Sequence, residues 1–447
     1  MRIRSRVPAD CAVSESVGAL PPLAVPALPG KIRHRVLRNG MTVCVVEQRT
    51  APVVTSALFY RVGARDETPE LSGAAHFLEH MMFKGSERFI AGEIDRRTQA
   101  LGGVNNAFTS HDLTGYYFDF AADRWTHALE IEADRMRGLT LDPAQVTSER
   151  QVILEELSMC ESEPWDALEM EVTAALYRPH PYGSPVLGTR ESLAGIGAAE
   201  LAAFHRAWYG PENAVLIVAG DVGEEAFAAA EVYFADLPGG RGIVRMPPAS
   251  RPEPREMVRV SRRAGEVARV LLALPAPPAT HPDHTALRLT LGALDGGKAS
   301  PLHRAMVEEG QLASWVSCDL GESLDPGHIQ IAAELVPGVE PAAAEAALLG
   351  ELARIRSEGF SAEEIERARQ ILLADWTFLH ERVHQQAITL GAALTLFDLR
   401  HPERTLGALA RLDADSLNRA ARRYLDPERG GVLGWSLPAG EEPEAEA

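Results

Sequence analysis

The chain of 447 residues has four cysteines, Cys11, Cys44, Cys160 and Cys318, and no CxxC pair. Their scatter excludes a disulfide framework and a cysteine-built metal cage, and the thiols read as buried or idle groups in a reducing compartment. No uninterrupted apolar run reaches about 18 residues, which excludes a transmembrane helix. Positive charge is short as well: 44 Lys+Arg against 63 Asp+Glu leave a net charge of −19. That balance excludes a nucleic-acid surface and electrostatic adhesion to anionic membranes, both of which need clustered basic residues. It favours cationic partners or substrates. The stretch MRIRSRVPADCAVSESVGALPPLAVPALPG lacks a continuous apolar core, because Asp10, Glu15 and several prolines interrupt it. It reads as a flexible lead-in over 1–30 rather than a signal peptide, so the cytoplasm is the expected location, with export left open.

What the chain has is enough apolar residues, 46%, to fill two cores. Its length suits two domains of roughly 200 residues each. A hairpin turn and then a strand are read over 39–49, and strand patterns run over 53–65, 105–121 with a polar bend at Ser110–Asp112, and 214–222. Residues 71–85 and about 90–101 have helical spacing. Asp142-Pro143 opens a helix that runs through Glu156, with Asp as cap and Pro in the first turn. The Pro-, Gly- and Arg-rich stretch 237–256 is the expected linker. Beyond it the order recurs, with strands at 266–277 and 328–336 and helices at 281–294 and 361–378. That recurrence, without a sequence repeat, suggests a structural duplication. The expected fold is therefore α+β, with two similar domains at 31–236 and 257–436 and an acidic tail at 437–447. Each domain should be an antiparallel or mixed sheet with helices on one face.

His76-Phe77-Leu78-Glu79-His80 is an HxxEH pattern. On a helix the two histidines lie one turn apart on one face, where neutral imidazoles bind one Zn2+. Glu79 stands beside both and is placed to take a proton from water acidified by the metal. A catalytic zinc wants a third protein ligand and one open position. Glu149 and Glu156, two turns apart on one helix, both qualify, one as ligand and the other as the acid that orients a histidine. A second pattern, His380-Glu381-Arg382-Val383-His384, is HExxH, with Glu403 at a spacing that suits a third ligand. On pattern alone the two sites tie. Context separates them: QQAITLGAALTLF after His384 suits domain packing, and the HERVH stretch suits an exposed helical face with Glu/Arg/His pairs.

SGAAHFLEHMMFKGSERF, LGGVNNAFTSHDLTGYYF and SERQVILEEL together resemble the inverzincins, the pitrilysin/insulinase family of zinc peptidases. Within it they are most similar to the branch of short subunits like mitochondrial processing peptidase. The resemblance implies one Zn2+ per chain held by His76, His80 and Glu156, with Glu79 as catalytic base and Glu149 as the acid that orients the site. It implies that Asn106 and Ala107 form the edge on which an extended peptide pairs as an added strand. Phe83 matches a residue lining the pocket just beyond the scissile bond.

One departure stands out. Active members usually carry an Arg and a Tyr that stabilise the oxyanion. Here Pro301 and Ser314 occupy those places, and Arg304 is a candidate replacement one turn on. The resemblance then implies a heterodimer in which a paralogous metal-free subunit supplies the pair across a shared chamber, with a homodimer as the alternative. Glu161, Glu163, Asp166 and Glu169 follow Glu156 and would favour basic residues near the cut. The expected function is a zinc metalloendopeptidase acting on peptides or precursor segments. Its rivals are a non-catalytic structural subunit of the same fold and a zincin built on HERVH.

Overall fold

The computed structural model describes residues 25–239 and 256–439. Most of the expected lead-in, linker and acidic tail lies outside the described residues. Among the described residues no helix is long and apolar enough to cross a membrane.

The N-terminal half builds a six-stranded sheet from β1 (Lys31–Val36), β2 (Thr42–Glu47), β3 (Val53–Tyr60), β4 (Val104–Thr109), β5 (Thr114–Ala121) and β6 (Ala214–Gly220). Their order is β1-β2-β6-β3-β5-β4. The C-terminal half builds a five-stranded sheet from β7 (Val258–Arg263), β8 (Arg269–Pro275), β9 (Ala313–Leu320), β10 (His328–Leu335) and β11 (Val432–Leu437), in the order β7-β11-β8-β10-β9. Without β1 the two orders coincide. In each half the last strand inserts between two earlier ones, parallel to one neighbour and antiparallel to the other. The suspected duplication is thus present in topology.

Between β3 and β4 lie α1 (Ala74–Met81) and α2 (Glu93–Ala100). After β5 come α3 (Thr126–Gly138), α4 (Pro143–Ser162), α5 (Pro164–Tyr177), α6 (Arg190–Gly195) and α7 (Ala198–Trp208), and α8 (Glu225–Phe234) follows β6. The second half has α9 (Pro282–Asp295) and the short α10 (Pro301–His303) between β8 and β9. Then follow α11 (Pro341–Glu358), α12 (Ala362–Leu379), α13 (Val383–Leu396), α14 (His401–Leu409) and α15 (Ala414–Tyr424). Asp142 caps α4 by accepting from the Ala144 and Gln145 N–H groups, and Ser361 caps α12 in a reciprocal pair with Glu364.

Within each half the half's own helices pack on one face of its sheet, as expected, and the other half covers the opposite face. Each sheet is covered on both faces, which is why β6 reads AVLIVAG and is buried throughout. The second cover comes from the other half. Ala387 and Leu390 of α13 pack on Ala57, Phe59, Val215 and Ile217 of the N-terminal sheet. In return Leu168, Val172 and Leu176 of α5 pack on Leu271, Ala273 and Val432 of the C-terminal sheet. Gly391 permits the first contact, because a Cβ there would lie 1.9 Å from the Phe59 ring.

Candidate metal centre

The helix α1 is built to carry its polar face outward from a dry core. Phe77, Leu78 and Met81 enter that core, and His76, Glu79 and His80 face α4 and β4. Gly73 precedes the helix with φ 92°, a conformation that favours glycine, and its Cβ position is closed by the Leu187 carbonyl at 2.6 Å. Glu67 replaces the missing side-chain cap, accepting from the Gly73 and Ala75 N–H groups at 2.8 and 2.7 Å. Burial pushes its carboxyl up to about 8, against the lowering effect of those bonds.

On α4, Val146, Ile153 and Leu157 are buried, and the helix period then turns Glu149 and Glu156 toward α1. Glu156 Oε2 lies 3.8 Å from His76 Nε2 and 3.7 Å from His80 Nε2. One donor atom from each of the three falls within 4.8 Å of the others. Tetrahedral zinc with bonds of about 2.1 Å sets its ligand atoms about 3.4 Å apart, so the two Glu156 separations need to contract by only a few tenths of an ångström. The donor set, two imidazoles and a carboxylate with one side open, fits a zinc ion.

Burial, then repulsion from His80, lowers the His76 pKa to about 4, so its imidazole is neutral at ordinary pH. His80 Nδ1 lies 2.9 Å from Glu149 Oε1. Burial alone would raise Glu149, but bonds from Lys84 and His80 outweigh it and hold the carboxyl below its usual value. Glu149 is therefore an ionised acceptor, His80 donates Nδ1–H to it, and His80 Nε2 keeps its lone pair for a metal. Glu79 accepts a hydrogen bond from the Thr109 hydroxyl at the end of β4. Burial raises its pKa, partly offset by that bond.

β4 is the outermost strand of its sheet. Asn106 is exposed on it, Ala107 is half-buried, and the Asn106 side chain accepts from the Ala107 N–H at 2.9 Å. Phe83 is half-buried, its ring 6.2 Å from Tyr116 and 5.2 Å from the buried Arg135 guanidinium.

The structure separates the second histidine pattern. His380 ends α12, residues 381–382 form a turn, and His384 belongs to α13. His380 is buried, not on an exposed helical face, and its ring nitrogens meet the Trp376 carbonyl at 2.7 Å and the Thr389 hydroxyl at 2.8 Å. His384 pairs with Asp119 at 3.0 Å. HERVH is therefore a helix-to-helix corner with a structural histidine.

Of the acidic residues beyond Glu156, Glu161 pairs with Arg190 and Glu163 caps α5. Asp166 and Glu169 line a groove of about 240 Å3 with Leu157, Met170 and Leu187. In the second half Pro301 is buried at the start of α10, and the Ser314 hydroxyl donates to the Glu334 carbonyl at 3.2 Å. Arg304 is exposed on the following turn. Sequence reasoning missed Glu67, Thr109 and Lys84. Only Lys84 left a signal, standing four residues past His80 in the helix read over 71–85, although α1 itself ends at Met81.

Residues 42–190 match the family described as insulinase (peptidase family M16), and residues 195–372 match the peptidase M16 inactive domain. A protein of Mycobacterium leprae named as a zinc protease is 31% identical over 389 residues, 86% of this chain and 87% of its own length. The crystal structure of a protease from Helicobacter pylori aligns with a TM-score of 0.87 at 25% identity, covering 92% of this chain and all of that one. The periplasmic protease PqqL of Escherichia coli shares the fold, with a TM-score of 0.75 at 20% identity over 93% of this chain and 48% of PqqL.

Proposed function

The chain belongs to the insulinase family, peptidase family M16, and we propose that it is a zinc-dependent metalloendopeptidase. The observation that carries this reading is the convergence of His76, His80 and Glu156 beside Glu79, which is itself tied to the end of an open sheet edge. His76, His80 and Glu156 hold one Zn2+ per chain, and Glu149 fixes the His80 tautomer. The ion, when bound, supplies Lewis acidity and lowers the pKa of the water it binds. Glu79 takes the proton of the attacking water and returns it to the leaving amine, and Thr109 aims its carboxylate. The peptide lies along β4 as an added strand near Asn106 and Ala107, so affinity comes from main-chain bonds and selectivity from side-chain pockets. Phe83 lines one such pocket. Asp166 and Glu169 favour a basic side chain near the cut; a cleaved-peptide library without enrichment of Arg or Lys would refute that preference.

The chain is the catalytic subunit of a two-subunit chamber. Pro301 has no side-chain donor and the Ser314 hydroxyl is spent on a strand carbonyl, so the oxyanion contacts come from a paralogous metal-free partner. Full turnover by the purified chain alone would sink the heterodimer and leave a homodimer or monomer. A non-catalytic structural subunit is the alternative, and the absent Arg/Tyr pair favours it. One variant separates the two: Glu79→Gln should keep its zinc and lose peptide turnover by roughly 10²–10⁴-fold. Turnover near the parent's in that variant would overturn the assignment of the base.

A further inference from the structure

We infer that Lys84 is a positioning residue for the metal centre, locking Glu149 in the orientation that turns His80 Nε2 toward the ion. The inference rests on the zinc-peptidase reading above. Lys84 Nζ lies 2.7 Å from Glu149 Oε2, while Glu149 Oε1 lies 2.9 Å from His80 Nδ1. One buried carboxylate is thus gripped at both oxygens, by an ammonium and by an imidazole N–H. Lys84 reaches it from the turn that follows α1, where its own N–H is bonded to the Met81 carbonyl at 3.0 Å.

Two further observations give the contact a purpose beyond stability. His76 Nδ1 is buried with no hydrogen-bond partner among the described residues, so His80 is the imidazole whose orientation is held from behind. Charge points the same way. Glu79, Glu149 and Glu156 put three carboxylates around two neutral imidazoles and a divalent ion, an excess of one negative charge. Among the described residues Lys84 is the Lys or Arg that forms an ion pair with any of the three, and it cancels that excess. Without it, Oε2 of a buried carboxylate loses its donor and the group is free to rotate away from His80. A plain solvated ion pair would leave metal affinity unmoved.

The test uses the full chain with Zn2+ as the probe. Lys84→Met should weaken Zn2+ binding roughly tenfold in competition with a chelator and speed its release, while Lys84→Arg restores binding. Metal-free Lys84→Met should stay folded with at most a modest drop in melting temperature, while metal-free Lys84→Arg melts like the parent because it keeps a donor on Glu149. In a Glu149→Gln background Lys84→Met should add almost nothing, because it acts through Glu149. Unchanged Zn2+ affinity in Lys84→Met, or an undiminished effect in the Glu149→Gln background, overturns the inference. A parent chain that binds no Zn2+ overturns this inference and the peptidase reading together. The readout is metal binding, so a parent that binds Zn2+ yet cleaves no peptide sinks the peptidase reading while Lys84→Met still decides this one.

Discussion

In the N-terminal half α1 faces α4 beside the edge strand β4; in the C-terminal half α9 faces α12 beside the edge strand β9. Set side by side, His76-Phe-Leu-Glu79-His80 corresponds to Gly292-Ala-Leu-Asp295-Gly296. The acid is kept and both imidazoles are gone. Asp375 stands as far past the Ser361 cap as Glu156 stands past the Asp142 cap, and the counterpart of Glu149 is the buried Ala368. Gly292, Asp295, Gly296 and Asp375 line one cleft of about 410 Å3. Each acid is bonded to its edge strand: Glu79 by the Thr109 hydroxyl, Asp295 by the Cys318 N–H at 3.0 Å. Burial raises both, Asp295 to about 6. A buried carboxyl leaning on an edge strand therefore belongs to the scaffold. What the first copy has and the second lacks is the pair of imidazoles and the Lys84–Glu149 ion pair behind them.

The strongest way to break this comparison is to remove corresponding acids. Glu156→Gln should weaken Zn2+ binding by more than about 100-fold, beyond the loss typical of an outer partner, while Asp375→Asn leaves it intact. Equal losses in a chelator competition would show that the second cleft also holds metal.

Next in size is the core beneath each helix. Arg135 and Glu132 form a bidentate ion pair, exposed by 0% and 2%, under Phe83 and Tyr116. On α11, the helix that follows β10 as α3 follows β5, Leu348, Leu352 and Ile355 fill the core instead. Arg135→Met strands the Glu132 charge and should cost about 3–5 kcal/mol in denaturant unfolding, much of it recovered by adding Glu132→Leu. Little cost in the single variant would mean that the pair is not desolvated.

Smaller again is the helix exchange. Gly391→Ala places a methyl against the Phe59 ring and should destabilise by about 1–3 kcal/mol, visible as an earlier melt. An unchanged melting curve would argue that α13 does not sit on β3 as described.

The smallest effect is electrostatic. Asp295 in the fold, at about 6, titrates above the ordinary aspartate value of about 3.9. The folded chain therefore keeps a proton that the unfolded chain releases. The stability from that protonated acid is present below pH about 4 and lost as pH rises through about 6. Asp295→Asn should thus raise the melting temperature above pH 6 and not below pH 4. The same gain at both ends would deny the shift.

Much of the centre was legible because it is local. Two histidines one turn apart and a Pro-opened helix with acids two turns apart are statements about one period. The strands at 53–60 and 214–220 were legible from their apolar runs. β7 was not, since VRVSRR places Arg259, Arg262 and Arg263 on a sheet edge and reads as polar chain. The HERVH corner defeated pattern reading because only tertiary packing ends α12 at Leu379 and buries His380. The brace from Lys84 needed two helices in register, and the crossing of α5 and α13 needed both halves at once.

That crossing also bears on how the molecule is made. During synthesis the first sheet is complete once Gly220 has been added, yet one of its faces stays bare until residues 383–396 emerge from the ribosome. The second sheet meets its own cover at once, because α5 is already waiting. The first sheet therefore waits for its cover, whereas the second, completed only by β11, does not. A gene cut at the middle would give two products, each holding the lid that the other lacks, and they should be recovered as a reassembled pair rather than as two independent proteins.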